Sequence, residues 1–133
     1  MEDASNRAID LLAKGVSPLL YTALGSTSAI AAQSGADSIG FNTRLGERLG
    51  VIFRDILRRS GVRRAVIAGG DTSGQVTSQL GLYALSYRAA LVRGCPLCLT
   101  HSDHPEFDGR ELALKGGQIG GETFFSQVRA GTP

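Results

Sequence analysis

Two glycine-rich stretches hold the residues of this chain best suited to chemistry. They are Gly69-Gly70-Asp71-Thr72-Ser73-Gly74 and Lys115-Gly116-Gly117-Gln118-Ile119-Gly120-Gly121. The first follows four apolar residues, Ala65 to Ala68, which read as a central strand covered on both faces. A glycine pair stops such a strand, because it takes φ angles that other residues resist. Asp71, Thr72 and Ser73 are all good N-cap residues for a following helix. A glycine-led helix start leaves backbone N–H groups unpaired. With the helix dipole, these favour an anion. A nucleotide phosphate is the expected occupant; a strand-to-helix turn with a polar cap is the alternative.

The second stretch follows a predicted strand at 110–115 and precedes a short predicted helix at 122–128, with Phe124, Phe125 and Val128 packing inward. Ligands of open α/β sheets bind beyond the carboxyl ends of strands. Two parallel neighbouring strands would therefore bring both glycine loops to one crevice. Lys115 closes its strand at that point and can neutralise a phosphate as a point charge. Neither loop is G-x-x-x-x-G-K-[ST] or G-x-G-x-x-G, so the expectation rests on geometry. Asp71 could hold Mg²⁺ through water, since that ion takes few protein ligands; a helix cap is its competing role.

Other chemistries fit less well. Gly-Asp-Thr-Ser-Gly is not G-x-S-x-G, although a small hydrolase using Ser73 is a further reading. His101, His104, Asp103, Glu106 and Asp108 have the composition of a metal cluster, but their turn-rich setting reads as a solvated loop. Cys95 and Cys98 are too few for a structural zinc site. They sit at a strand start rather than a helix start, so they read as reduced thiols in or near a core.

The elements that must position these residues follow from periodicity and breakers. A helix is expected over 3–14, ended by Gly15, and a short strand over Pro18–Thr22. Residues 23–42 are small and polar and take no assigned element. Leu45, Leu49, Ile52, Phe53, Ile56 and Leu57 make one stripe of a helix over 43–60, ended by Gly61. A strand over 63–68, a helix over 73–87 with Gly81 inside it, and strands over 89–92 and 97–101 come next. A turn at 93–96 joins the last two, and a polar hairpin-like loop covers 102–109. The fold class is α/β: a layered sandwich with a mostly parallel or mixed sheet and helices on its faces. One domain over 1–133 is expected, since 133 residues can enclose a real core. A net charge of +2 and the lack of Trp argue against nucleic acid. No run reaches the length of a membrane span, and no signal peptide precedes the first helix, so a cytoplasmic location is expected.

Ala68 to Gly74, followed by Gln79-Leu80-Gly81, Gly94-Cys95-Pro96-Leu97, and Leu114 to Gly121 with Phe124-Phe125, resemble a known family when taken in this order. The chain resembles the C-terminal, nucleotide-binding domain of the four-carbon acid sugar kinases from about residue 8 to residue 129. The resemblance implies ATP-dependent phosphorylation of a threonate, erythronate or 3-oxo-tetronate. It implies a nucleotide held by Gly70, Asp71, Thr72 and Ser73 and by Gly116 and Gly117. The crevice argument extends the set to Gly69, Gly74, Gly94 and Lys115. The resemblance also implies kinases several hundred residues long, with an N-terminal substrate domain that is expected to be absent here. The expectation is therefore a domain inactive alone, needing a substrate-domain chain and prone to self-association through apolar surface. A non-catalytic remnant serving as an interaction or regulatory module is the alternative.

Overall fold

Residues 2–22 and 38–131 are described by the computed structural model. In chain order they form α1 (Glu2–Ala13), α2 (Ser38–Ser60), β1 (Arg64–Ala68), α3 (Gly70–Gln79), β2 (Leu82–Val92), β3 (Cys95–Ser102), β4 (Glu111–Lys115) and α4 (Phe124–Ala130). Four strands make one mixed sheet in the order β1-β4-β3-β2. β1 and β4 are parallel, with Arg64 opposite Glu111 and Ala68 opposite Lys115. β3 runs antiparallel to both β4 and β2.

Alternation along the strands sends side chains to two cores. On one face Ile67 and Leu112 meet Leu57 of α2, Val76 of α3, and Leu80 and Phe107 from the connections. On the other, Leu97 and Ala113 meet Phe124 and Val128 of α4. Arg64 ties this second face together. Its Nε and Nη2 lie 2.6 and 2.5 Å from Glu111 Oε2, and its Nη1 donates to the carbonyls of Val128 and Arg129 at the end of α4. That places a cation where the helix dipole favours one. On the opposite face α2 crosses α3 closely. A Cβ on Gly46 would fall on the Gln75 side chain, and one on Gly50 would lie 2.7 Å from Gln79 Cγ. At this crossing Gln75 Oε1 is buried without a hydrogen-bond partner.

Several expectations need correction. Among the described residues β1 is an edge strand, and within it only Ile67 is buried, so its apolar run is not a sign of a central position. Pro18–Thr22 is not a strand; Pro18 has no N–H to donate, and the segment lies apart from β1 across a cavity of about 340 Å³. The helix expected over 73–87 spans Gly70–Gln79 instead. Gly81 ends it at φ 60°, and a Cβ there would approach His104 Cδ2 to 2.8 Å. Tyr83, Leu85 and Tyr87 then follow a period of two in a single eleven-residue strand. α2 starts at Ser38, five residues before the expected start; the rest of the unassigned stretch, 23–37, lies outside the described residues. The connection after β3 is not simply solvated. Phe107 is fully buried, Thr100 Oγ1 donates to its carbonyl at 2.6 Å, and Arg110 bonds the carbonyls of Glu106 and Val62. Desolvation there holds the Arg110 pKa below its ordinary value.

Candidate functional site

β1 and β4 point the same way and end level with one another. Both glycine stretches therefore emerge at one end of the sheet, as the crevice argument requires. They touch directly: the Gly69 N–H donates to the Lys115 carbonyl at 2.8 Å, one step past the last ladder pair.

Gly69 carries the sharp part of the first turn. Its φ of 113° and ψ of 130° belong to a region that side chains resist. It is also the N-cap, which corrects the expectation for Asp71, Thr72 and Ser73. Those three lie in the first turn of α3, and no side chain caps it. The backbone bond from Ser73 N to Gly69 O, 2.9 Å, opens the helical ladder. Helix geometry thus leaves the N–H groups of Gly70, Asp71 and Thr72 without an intrahelical carbonyl. A Cβ on Gly70 would meet nothing within 4 Å, so the space beside the start of this turn is open. Asp71 is exposed and Thr72 half-buried. Ser73 is buried, and its Oγ donates to Gly69 O at 2.7 Å. Gly74 lies inside α3, where its carbonyl accepts from the hydroxyls of Thr77 and Ser78.

In the second loop the Lys115 ammonium folds back, donating to Gly116 O at 3.1 Å and Gly117 O at 3.2 Å. It also lies 5.8 Å from the centre of the Phe124 ring, within cation–π range. The positive charge is therefore held at the loop. A Cβ on Gly117 would meet nothing within 4 Å.

Gly94 sits in the turn between β2 and β3. That turn shares the end of the sheet where β4 finishes, because β3 runs opposite to β4. All ten candidate residues thus gather at one end. The reading missed Ile119. A Cβ on Gly94 or on Gly116 would come within 3.2 Å of Ile119 Cδ1, so this side chain is wedged between the β2–β3 turn and the second loop. One apolar residue in the middle of a glycine loop was the signal for it.

The competing chemistries find less support. Ser73 spends its hydroxyl on its own helix, while His101 Nε2 pairs with Ser86 Oγ at 2.8 Å and the His104 ring packs on Phe107. Among the described residues no group of three His, Cys, Asp or Glu side chains could hold a metal ion. Cys95 and Cys98 are both free, and residues three apart on a strand point to opposite faces. Burial pushes both thiols above their ordinary pKa. Among the described residues no helix is long and apolar enough to cross a membrane.

Residues 1–125 match the model of a family described as the nucleotide-binding C-terminal domain. The chain is 39% identical over 138 residues to a 3-oxo-isoapionate kinase of Paraburkholderia graminis, covering 98% of this chain and 29% of the relative. It is 33% identical over 130 residues to a 3-oxo-tetronate kinase of Cupriavidus necator, covering 96% and 28%. The chain thus spans less than a third of the length of these relatives. A crystal structure of a Haemophilus influenzae protein matches with TM-score 0.76 at 24% identity, over 97% of this chain and 30% of the other. A domain of unknown function from Bordetella bronchiseptica, a domain-swapped dimer with bound citrate, matches with TM-score 0.66 at 18% identity, over 92% and 28%. At these identities the two structures establish a shared fold.

Proposed function

The chain belongs to the nucleotide-binding C-terminal domain family, and from that premise we propose that it is the ATP-binding part of a kinase acting on sugar acids of the threonate, erythronate or 3-oxo-tetronate type. The observation that carries this reading is the bond from Gly69 N to Lys115 O, which fastens two glycine loops side by side at the ends of parallel strands. The unpaired amides of Gly70, Asp71 and Thr72 would receive phosphate oxygens, aided by the dipole of a ten-residue helix. Lys115, with Gly116 and Gly117, would face the same phosphates from the neighbouring strand. Gly94 and Ile119 would set the position of that second loop.

Phosphoryl transfer needs positioning and charge neutralisation, and both are within reach of these groups. Mg²⁺ fits the donor set only as an ion that arrives with the nucleotide: Asp71 is an exposed carboxylate, and the remaining ligands would be waters and phosphate oxygens. The site for the sugar acid and the base that activates its hydroxyl would lie on a separate substrate domain. The chain alone would then bind nucleotide, in the cytoplasm, without turning substrate over.

Isothermal calorimetry with ATP or ADP and Mg²⁺ tests this. Saturable heat with about one site per chain is the expected result. No heat at millimolar nucleotide overturns the reading and leaves a non-catalytic interaction module.

A further inference from the structure

The sheet has two edges, and they differ. Beside β1 run residues Leu19 to Thr22, across the cavity already described. β2 forms the other edge, and every residue from Tyr83 to Arg88 is exposed, on both faces of the strand. Tyr83 is 68% exposed, Tyr87 70% and Leu85 39%. β3 is largely buried, paired with β4 from Leu97 to Leu99 and bonded beyond it through Thr100, whereas the Tyr83–Arg88 part of β2 lies on the outer side of the hairpin.

We propose that the free edge of β2 pairs with the β2 edge of a second copy of this chain, antiparallel and about a two-fold axis, to give one continuous sheet across both copies. An exposed edge strand presents a row of unpaired backbone donors and acceptors to any chain that can align with it. Few guards protect its middle: β2 contains no Lys, Pro, Asp or Glu, and among the described residues no helix covers it, which leaves Arg88 and the bulges at either end. Its register with β3 shifts between Leu82 and Ala84 and again after Tyr87, while Ala84–Tyr87 pairs regularly with His101–Cys98. That regular window is the part flat enough to accept another strand.

A second copy suits the edge because two-fold pairing is self-complementary and the strand has a single charge to accommodate. With the axis at Leu85, Arg88 falls opposite Leu82 of the second copy; with the axis at Ser86, it falls opposite Ala84. No like charges meet in either register. Arg88 also leans towards Glu111 Oε1, at 3.8 Å. At roughly 200 Å² per side chain, the exposed tyrosines of two copies offer about 500 Å² of aromatic surface. A standard interface buries at least about 1,200 Å², so the pairing, with its backbone and Leu85, gives a reversible dimer rather than an obligate one. This inference does not depend on nucleotide binding.

Sedimentation velocity on the full chain across a dilution series, without nucleotide, tests it. The wild type should move from dimer to monomer on dilution. Leu85→Lys should raise the dimer dissociation constant at least about tenfold, with an unchanged circular dichroism spectrum. Leu19→Lys, at the β1 side, should leave it unchanged. Hydrogen exchange on the wild type should show β2 amides protected only at high concentration, which keeps the test valid if Leu85→Lys misfolds. A wild type monomeric throughout, or a dimer whose β2 amides gain no protection, overturns the proposal. So does a dimer that withstands Leu85→Lys or is lost in Leu19→Lys.

Discussion

Gly70→Asp separates the candidate phosphate site from the stability of the fold. Position 70 opens α3 with an ordinary negative φ, and a side chain there meets nothing within 4 Å. A carboxylate in the first turn of a helix contributes about 0.3–1 kcal/mol of stability through the dipole, and the adjacent Asp71 offsets part of this. The melting temperature should therefore move by only about 2 °C. A phosphate over the amides of Gly70–Thr72 would meet the new charge at roughly 5 Å. With an effective dielectric near 20 the repulsion is about 3 kcal/mol, a loss of roughly two orders of magnitude in affinity.

Calorimetry with ATP and Mg²⁺ and a thermal melt read the two effects separately. Gly69→Ala is the counter-experiment. It forces a side chain to φ 113° and brings its Cβ to 3.3 Å from Thr72 Oγ1. The cost is about 1–3 kcal/mol of stability, with a fall of several degrees in melting temperature. A folded Gly70→Asp chain that binds ATP as tightly as the wild type would move the nucleotide elsewhere. A Gly70→Asp chain that unfolds would show that the space above the turn is not open.

Two further outcomes rest on the core. Phe107→Ala should cost about 3–5 kcal/mol, read as a lower urea midpoint, since Phe107 is fully buried and anchors the β3–β4 connection; a loss under about 1 kcal/mol would show that this connection is not anchored in the core. Burial raises the folded pKa of Cys95 and Cys98. The unfolded chain then releases these protons first, so their contribution is fully present below the ordinary thiol pKa of about 8.5 and lost as pH rises above it. Denaturant midpoints should fall through that alkaline range and fall less in Cys95→Ala; a flat profile in the wild type would refute the assignment.

The placement of the two candidate loops was legible because glycines and strand ends are local signals, whereas the cap fell on Gly69 and not on Asp71, Thr72 or Ser73. Lys115 at a strand end and Gly69-Gly70 after an apolar run marked the two loops, and the parallel pairing of β1 and β4 brings them together. Strand order is a non-local property, and there the reading went astray. Ala65 to Ala68 look as apolar as a central strand, yet β1 is an edge: α2, α3 and α4 cover its faces while, among the described residues, no strand takes its outer side. The residues from Tyr83 to Tyr87 suit either period. Gly81 settled the matter, since a left-handed residue at that point lets the chain leave α3 and start β2. Ile119 stood out only as an apolar residue among glycines, and its partners, Gly94 and Gly116, are brought together by the antiparallel pairing of β3 with β4.

The bare surface of Gly46 and Gly50 on α2 has a mechanical meaning. The side chains of Gln75 and Gln79 occupy the space that a larger residue at either position would need. A side chain added at Gly46 or Gly50 would therefore push against the helix whose first turn carries the candidate amides.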